Sequence, residues 1–324
     1  MNNNTMEYQT TLANNEPIAI TIGNFDGIHL GHQQLLHKLR LQAQELHCRP
    51  VLVTFAPHTI IVVRPDIQAQ FLTTLNEKLA LAARYGQVAD HIVITFTPEV
   101  AAMSAEEFMD ALTQRFSIRG LIVGENFSLG HNRKGDVSFL KQYGQDHHIQ
   151  VLGIPLEEAA EARISSTRIR TLVTEGQISE ANALLGHPVI VDGVVSHGDK
   201  RGRLLGFPTA NILPEPHKLL PANGVYAVYC SLHDGRAWRV EHDVSTYQGV
   251  VNIGVRPTFN GKERLVEAHL LDVDLDLYDQ HLKIEFIERL RGEQRFSGVD
   301  ALKAQIASDI QSARQILEIR RVSH

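Results

Sequence analysis

At 324 residues, with 43% hydrophobic and 21% charged residues, the chain has an ordinary globular composition and room for two cores. Its 31 basic against 37 acidic residues give a net charge of −6, which argues against a general nucleic-acid or anionic-membrane surface. No apolar run approaches the ~20 residues of a membrane span, and Cys48 and Cys230 fit no metal spacing and read as thiols of a reducing compartment.

Met1–Pro17 is polar and has neither the basic start nor the apolar stretch of a secretory leader, so a cytoplasmic enzyme is expected. The next stretch alternates strand-like and helix-like patterns. Pro17–Ile22 is a β-branched run, and Leu35, Leu36, Leu39, Ala43 and Leu46 then recur at helical spacing. Val51–Phe55 and Ile60–Val63 are both strand-length. Asn76–Tyr85, Ser104–Arg115 and Val137–Tyr143 read as helices, with strands at His91–Phe96, Gly120–Val123 and Gln150–Ile154. Ser166–Glu175 and Ser179–Leu185 read as two further helices. This alternation predicts an α/β domain, a Rossmann-like parallel sheet with helices on both faces.

The pattern changes after Gly186-His187-Pro188. Six short strands, Val189–His197, Thr209–Ile212, Gly224–Leu232, Tyr247–Ile253, Leu265–Leu271 and Leu282–Arg289, are separated by Gly, Pro, Asn and Asp turns. They predict a six-stranded antiparallel β-barrel, closed by a terminal helix over Asp300–Ile319. The expected division is therefore 1–186 and 187–324.

Chemistry concentrates in a few places. Gly23-Asn24-Phe25-Asp26-Gly27-Ile28-His29-Leu30-Gly31-His32 joins a predicted strand to a predicted helix. Gly23 and Gly27 allow a tight turn, and the helix start offers N–H groups to an anion. His29 and His32, three apart, share one face of the first turn and can donate to phosphate oxygens as pyrophosphate leaves. Ser166, Thr167 and Arg168 stand at another helix start, where hydroxyls and a guanidinium suit phosphate. Thr54-Phe55-Ala56-Pro57-His58 ends a strand at the edge where parallel sheets place ligands. Glu125–Asp136, with Asn126 and Asp136, is a polar loop after another strand.

In the second half, Gly198, Lys200 and Gly202 fall in a Gly-rich basic loop suited to phosphates. Thr209 and Asn211, two apart, point to one side of a strand and can hold Mg²⁺ through neutral oxygens. By themselves these residues also read as a β-turn cornered by Pro208. Glu267, on a later strand, is a candidate general base, or an ordinary outward-facing strand residue.

Taken in order, His-Leu-Gly-His, Ile-Ser-Ser-Thr-Arg-Ile-Arg, Gly-Phe-Pro-Thr-Ala-Asn, Gly-Val-Tyr-Ala-Val and Asn-Ile-Gly-Val-Arg-Pro-Thr-Phe make the chain resemble the bacterial bifunctional riboflavin kinase/FMN adenylyltransferases, or FAD synthetases. The resemblance runs from about Ile18 to about Leu317. It implies that the C-terminal half phosphorylates riboflavin to FMN and that the N-terminal half adenylylates FMN to FAD and pyrophosphate. ATP and Mg²⁺ would serve both reactions. It further implies that Gly23, Phe25, Asp26, Gly27, His29, His32, Ser166, Thr167 and Arg168 bind ATP in the adenylyltransferase, and that His58, Asn126 and Asp136 face its flavin. Gly198, Lys200, Gly202, Thr209 and Asn211 would hold ATP and Mg²⁺ in the kinase, with Glu267 as base and Arg291 near the flavin. A monomer or weak homo-oligomer without nucleic-acid or membrane partners is expected. Where the family has Phe-x-Pro-His-Pro and Phe-Arg-Phe-Gly, this chain has Phe55-Ala56-Pro57-His58-Thr59 and Phe127-Ser128-Leu129-Gly130. The second departure leaves an alternative, a riboflavin kinase whose N-terminal half is a weak or inactive adenylyltransferase acting as a binding or regulatory module.

Overall fold

The structure, a computed structural model, describes residues 6–12, 16–155, 164–196, 206–233, 246–258, 261–273 and 275–321. Its packing divides the chain into two units, one of Met1–Ala69 with Lys78–Ser165 and one of Gln70–Glu77 with Ser166–His324.

The first unit is built on a six-stranded sheet. Its strands are β1 (Tyr8–Thr10), β2 (Ile18–Ile22), β3 (Arg49–Ala56), β4 (Asp90–Thr95), β5 (Ile118–Gly124) and β6 (Gln150–Ile154), in the spatial order β1-β4-β3-β2-β5-β6. Five strands are parallel, as expected from the alternation. β1 was not foreseen: it pairs antiparallel to β4, Tyr8 opposite Ile94, and makes the sheet mixed. Alternate residues of the central strands face opposite ways. Ile18, Ile20, Ile22, Val51, Val53, Ile92 and Ile94 join one core with Phe108, Met109 and Leu112 of α5 (Ala105–Thr113) and Leu140 and Tyr143 of α6 (Val137–Asp146). The other face, with Ala19, Leu52 and Ile122 buried, is met by α1 (Leu30–Glu45) through Leu35, Leu36, Leu39 and Ala43. Helices thus cover both faces, as that pattern requires.

Ile60–Val63 is not a strand. It forms the short helix α2 (Thr59–Val63), because the His58 side chain accepts the Ile60 N–H and starts a helical turn against the local β propensity. Among the described residues, the other α-helices are α3 (Leu75–Tyr85), α4 (Pro98–Ala102), α7 (Ser166–Glu175), α8 (Ile178–Leu185) and α9 (Val299–Arg321). α5 begins with a reciprocal capping box between Ser104 and Glu107.

The second unit is a closed antiparallel barrel of β7 (Val189–Ser196), β8 (Ala210–Pro214), β9 (Gly224–His233), β10 (Thr246–Thr258), β11 (Gly261–Leu270) and β12 (His281–Arg291). Its order is β10-β11-β8-β7-β12-β9, and pairing of β10 with β9 closes it. Val191, Val195, Ala227, Val251, Ile284 and Phe286 are buried strand residues of the barrel. Tyr226 meets Phe286 edge to face at 5.3 Å. Replacing Phe286 by Ala should cost about 3–5 kcal/mol, read as a lower denaturation midpoint of the barrel.

α9 lies on the barrel through Ala313 and Leu317, which pack with Val225, Val250 and Ile287. Tyr229 donates to the Leu317 carbonyl at 2.6 Å. In packing, α7 and α8 group with the barrel unit. Ser179 donates to Glu288 and Asn182 to the Phe286 carbonyl, so hydrogen bonds tie α8 to β12.

Candidate active sites

In the first unit, the turn from β2 into α1 sits at the C-terminal edge of the parallel strands. Phe25 and Ile28 have φ of 49° and 42°, and Gly27 has φ of 90°. Two non-glycine residues are thus held in the left-handed region within four positions. His29 caps α1, its Nδ1 accepting the His32 N–H at 3.3 Å. An accepting Nδ1 carries no proton, which leaves Nε2 as the ring nitrogen able to donate. The His32 ring stacks on it at 3.6 Å and 14°. A Cβ at Gly31 would meet the His29 ring at 3.4 Å, an ordinary van der Waals contact.

His32 is half-buried, and its Nδ1 is buried with no partner among the described residues. Burial first, then His29 and Lys78, hold it well below the ordinary imidazole range, so it is neutral at pH 7. Asp26 is buried in the same turn. Asn24 donates to Thr59 at 2.9 Å, which joins the turn to α2.

Sequence reading missed Lys78. It is buried and donates from Nζ to Thr54 Oγ1 at 3.2 Å. Burial lowers its ammonium to about 8, partly offset by Asp26. A lysine in an amphipathic helix reads as a solvated residue, and only the tertiary fold turns it toward the Gly23–His32 turn. The structure therefore gathers Asp26, His29, His32 and Lys78 around one turn of this unit.

His58 lies at the N-terminus of α2 and Asp136 at that of α6, where it accepts the Phe139 N–H at 2.9 Å. Asn126 is exposed in the loop after β5. In that loop Leu129 faces the sheet core rather than a ligand. Arg133 donates to Ser128 Oγ at 2.7 Å, so a guanidinium lies against the residue that departs from the family pattern. Ser166, Thr167 and Arg168 open α7 and group with the second unit.

In the second unit, strand register assembles a polar row. Asn211 on β8 stands opposite Glu267 on β11, and Glu267 stands opposite Asn252 on β10. Directly opposed residues share a face, so all three side chains leave the sheet on one side. Asn252 Nδ2 donates to Glu267 Oε2 at 3.3 Å. Asn211 Oδ1 is buried with no partner among the described residues. Thr209 is exposed just before β8, where His269 Nδ1 is 2.7 Å from the Pro208 carbonyl and pins that turn. Asn252 was quoted within a motif but not singled out, because its role depends on register.

Arg291 is held by Asp309 of α9, with Nε and the second amino group at 2.8–3.1 Å from the carboxylate, and its guanidinium lies over Phe296. Gly198, Lys200 and Gly202 lie outside the described residues.

A histidine-lined turn at the end of the parallel strands, and a barrel with a carboxylate between two amides, stand in two units that match two transferase families. The FAD synthetase family model matches residues 11–168 and the riboflavin kinase (flavokinase) model matches residues 185–317. The bifunctional riboflavin kinase/FMN adenylyltransferase of Escherichia coli (strain K12) is 37% identical over 302 residues, 93% of each chain. The chain belongs to the family of bifunctional riboflavin kinase/FMN adenylyltransferases. The Listeria monocytogenes member is 34% identical over 297 residues, 91% of each chain. A solved structure described as a macrolide-efflux protein from Streptococcus pneumoniae is similar with a TM-score of 0.78 and 28% identity, over 92% of this chain and 94% of that one. That description belongs to that protein. Among the described residues here, no helix is long and apolar enough to cross a membrane.

Proposed function

We propose that the chain makes FAD from riboflavin in two ATP-dependent steps. The barrel unit moves the γ-phosphoryl group of ATP to the ribityl 5′-hydroxyl of riboflavin, giving FMN and ADP. The sheet unit moves AMP from a second ATP to the phosphate of FMN, giving FAD and pyrophosphate. The observation that carries this reading is the pair of separate constellations on two architectures, each inside the range matched by its own family model.

For the kinase step, Glu267 takes the hydroxyl proton, and Asn252 orients its carboxylate through the 3.3 Å hydrogen bond. Asn211 and Thr209 would hold Mg²⁺. The fit rests on the buried Asn211 Oδ1 that lacks a partner and on the oxygen-only donors this ion prefers. When bound, Mg²⁺ neutralises charge on the transferring phosphates. Arg291, fixed by Asp309, would place the segment from Gly292 to Phe296 beside the flavin.

For the adenylyl step, a phosphate oxygen of FMN attacks the α-phosphorus and the bond to the β-phosphate oxygen breaks. His29 donates from Nε2 and Lys78 offers its positive charge to the oxygens that gain charge. The cap fixes the donor, so no reorganisation is needed as pyrophosphate leaves. The phosphate role of Ser166, Thr167 and Arg168 rests on the family motif. His58, Asn126 and Asp136 are assigned to the flavin side. Arg133 against Ser128 returns a guanidinium to that loop.

The direct test incubates the chain with riboflavin, ATP and Mg²⁺ and separates the flavins by chromatography. FMN and then FAD should accumulate; absence of both overturns the assignment. A pH profile adds a second check. Lys78 near 8 is charged below that pH and neutral above it. kcat/KM for ATP in FAD formation should therefore fall as pH rises past about 8. Lys78→Arg, whose guanidinium stays charged, should remove that alkaline limb. An unchanged limb in the variant would exclude Lys78 from phosphate binding.

A further inference from the structure

We propose that Asp192, His233 and His281 form a site for a zinc-class divalent metal on the barrel, distinct from that barrel's Asn211–Glu267–Asn252 row. The three residues come from β7, β9 and β12, and β12 lies between the other two strands. His281 stands directly opposite His233. It also stands opposite Val194, two residues along β7 from Asp192, so the strand alternation puts all three side chains on one face. Leu282 and Ile284, of the other parity, are fully buried on the opposite face.

One ligand atom from each residue lies within 4.8 Å of the other two. The His233 and His281 ring centroids are 5.1 Å apart, and His233 Nε2 is 2.9 Å from Asp192 Oδ1. A tetrahedral ion with bonds of about 2.0–2.2 Å needs ligand atoms roughly 3.4 Å apart. Small side-chain turns close that gap. The second observation is His281 Nδ1, which is buried and has no partner among the described residues. A buried ring nitrogen without a partner carries a desolvation cost that a bound metal would remove.

The donor set decides the ion. Two imidazoles and one carboxylate suit Zn²⁺, Co²⁺ or Ni²⁺, whereas Mg²⁺ prefers oxygen alone. Three protein ligands leave a fourth position for water. Support comes from behind the site: Glu77, buried and ion-paired with Lys218, accepts the Asp192 N–H at 3.2 Å and fixes that point of β7. The kinase row is elsewhere. Asn211 pairs with Ser196, four residues along β7 from Asp192, or about 13 Å at strand rise. An ion at this site would join three strands of the barrel, so its role is a structural staple.

The test uses the untagged full chain, stripped with chelator and kept in excess Mg²⁺, then titrated with Zn²⁺ by calorimetry and with Co²⁺ by visible absorption. One Zn²⁺ per chain and an intense low-coordinate Co²⁺ band are expected. His281→Gln and Asp192→Asn should each weaken Zn²⁺ binding at least about 100-fold, since even an outer-shell change costs up to that much. Riboflavin phosphorylation in Mg²⁺ should be unchanged in both variants. Circular dichroism establishes that each variant is folded, and should one fail to fold, the other decides. No stoichiometric binding by the original chain, or binding untouched in a folded variant, overturns the site.

Discussion

Replacing His29 by Asn should lower FAD formation by about 100- to 1000-fold while FMN formation continues at its original rate. The choice of Asn matters. His29 caps α1 through Nδ1, and losing a cap costs about 1 kcal/mol of stability. An Asn side-chain oxygen can still accept the His32 N–H, so the helix start survives and only the Nε2 donor is lost. His32→Ala should act in the same direction, because it removes the ring stacked at 3.6 Å on His29. Flavins separated by chromatography, starting once from riboflavin and once from FMN, read the two steps independently. Loss of both activities in a folded protein would contradict the division of labour, and undiminished FAD formation would remove His29 from catalysis.

The second large effect belongs to the barrel. Glu267→Gln should reduce riboflavin phosphorylation by about 100- to 10 000-fold, the range of a lost general base. Gln keeps an oxygen to accept from Asn252 and nearly the same volume, so folding should be untouched. The loss should appear in kcat more than in KM for riboflavin, because the base acts on the proton that moves in the transition state. FAD formation from supplied FMN should be unchanged. Asn252→Ala should give a smaller loss in the same step, since it frees the carboxylate without removing it.

How much of this was legible beforehand depended on whether a feature is local. The alternation from β2 to β6 and the six strands of the barrel were readable because apolar periodicity and turn residues are written into adjacent positions. β1 was not, because three residues carry no periodicity and pairing with β4 is the only thing that makes them a strand. Ile60–Val63 misled, because β-branched composition speaks for a strand while the His58 cap speaks for a helix. The His29 and His32 turn could be read whole, since its residues are contiguous. Lys78 and Asn252 could not. The first reaches Asp26 and Thr54 only after α3 packs on the sheet, and the second meets Glu267 only through strand register across β10 and β11. That α8 packs with the barrel could not be read either, because its hydrogen bonds to β12 join residues about a hundred positions apart.

The three residues of β1 also have a bearing on how this protein could be shortened. Every proposed nucleotide contact begins at Gly23, so a chain started at Pro17 would keep the whole catalytic inventory. It would also strip the cover from β4 and bare a row of backbone N–H and C=O groups along Ile92–Ile94. Such an open margin invites a second molecule to add its own strand. Trimming that looks harmless to chemistry would then show itself as self-association on a sizing column, with catalytic constants intact in whatever fraction stays monodisperse.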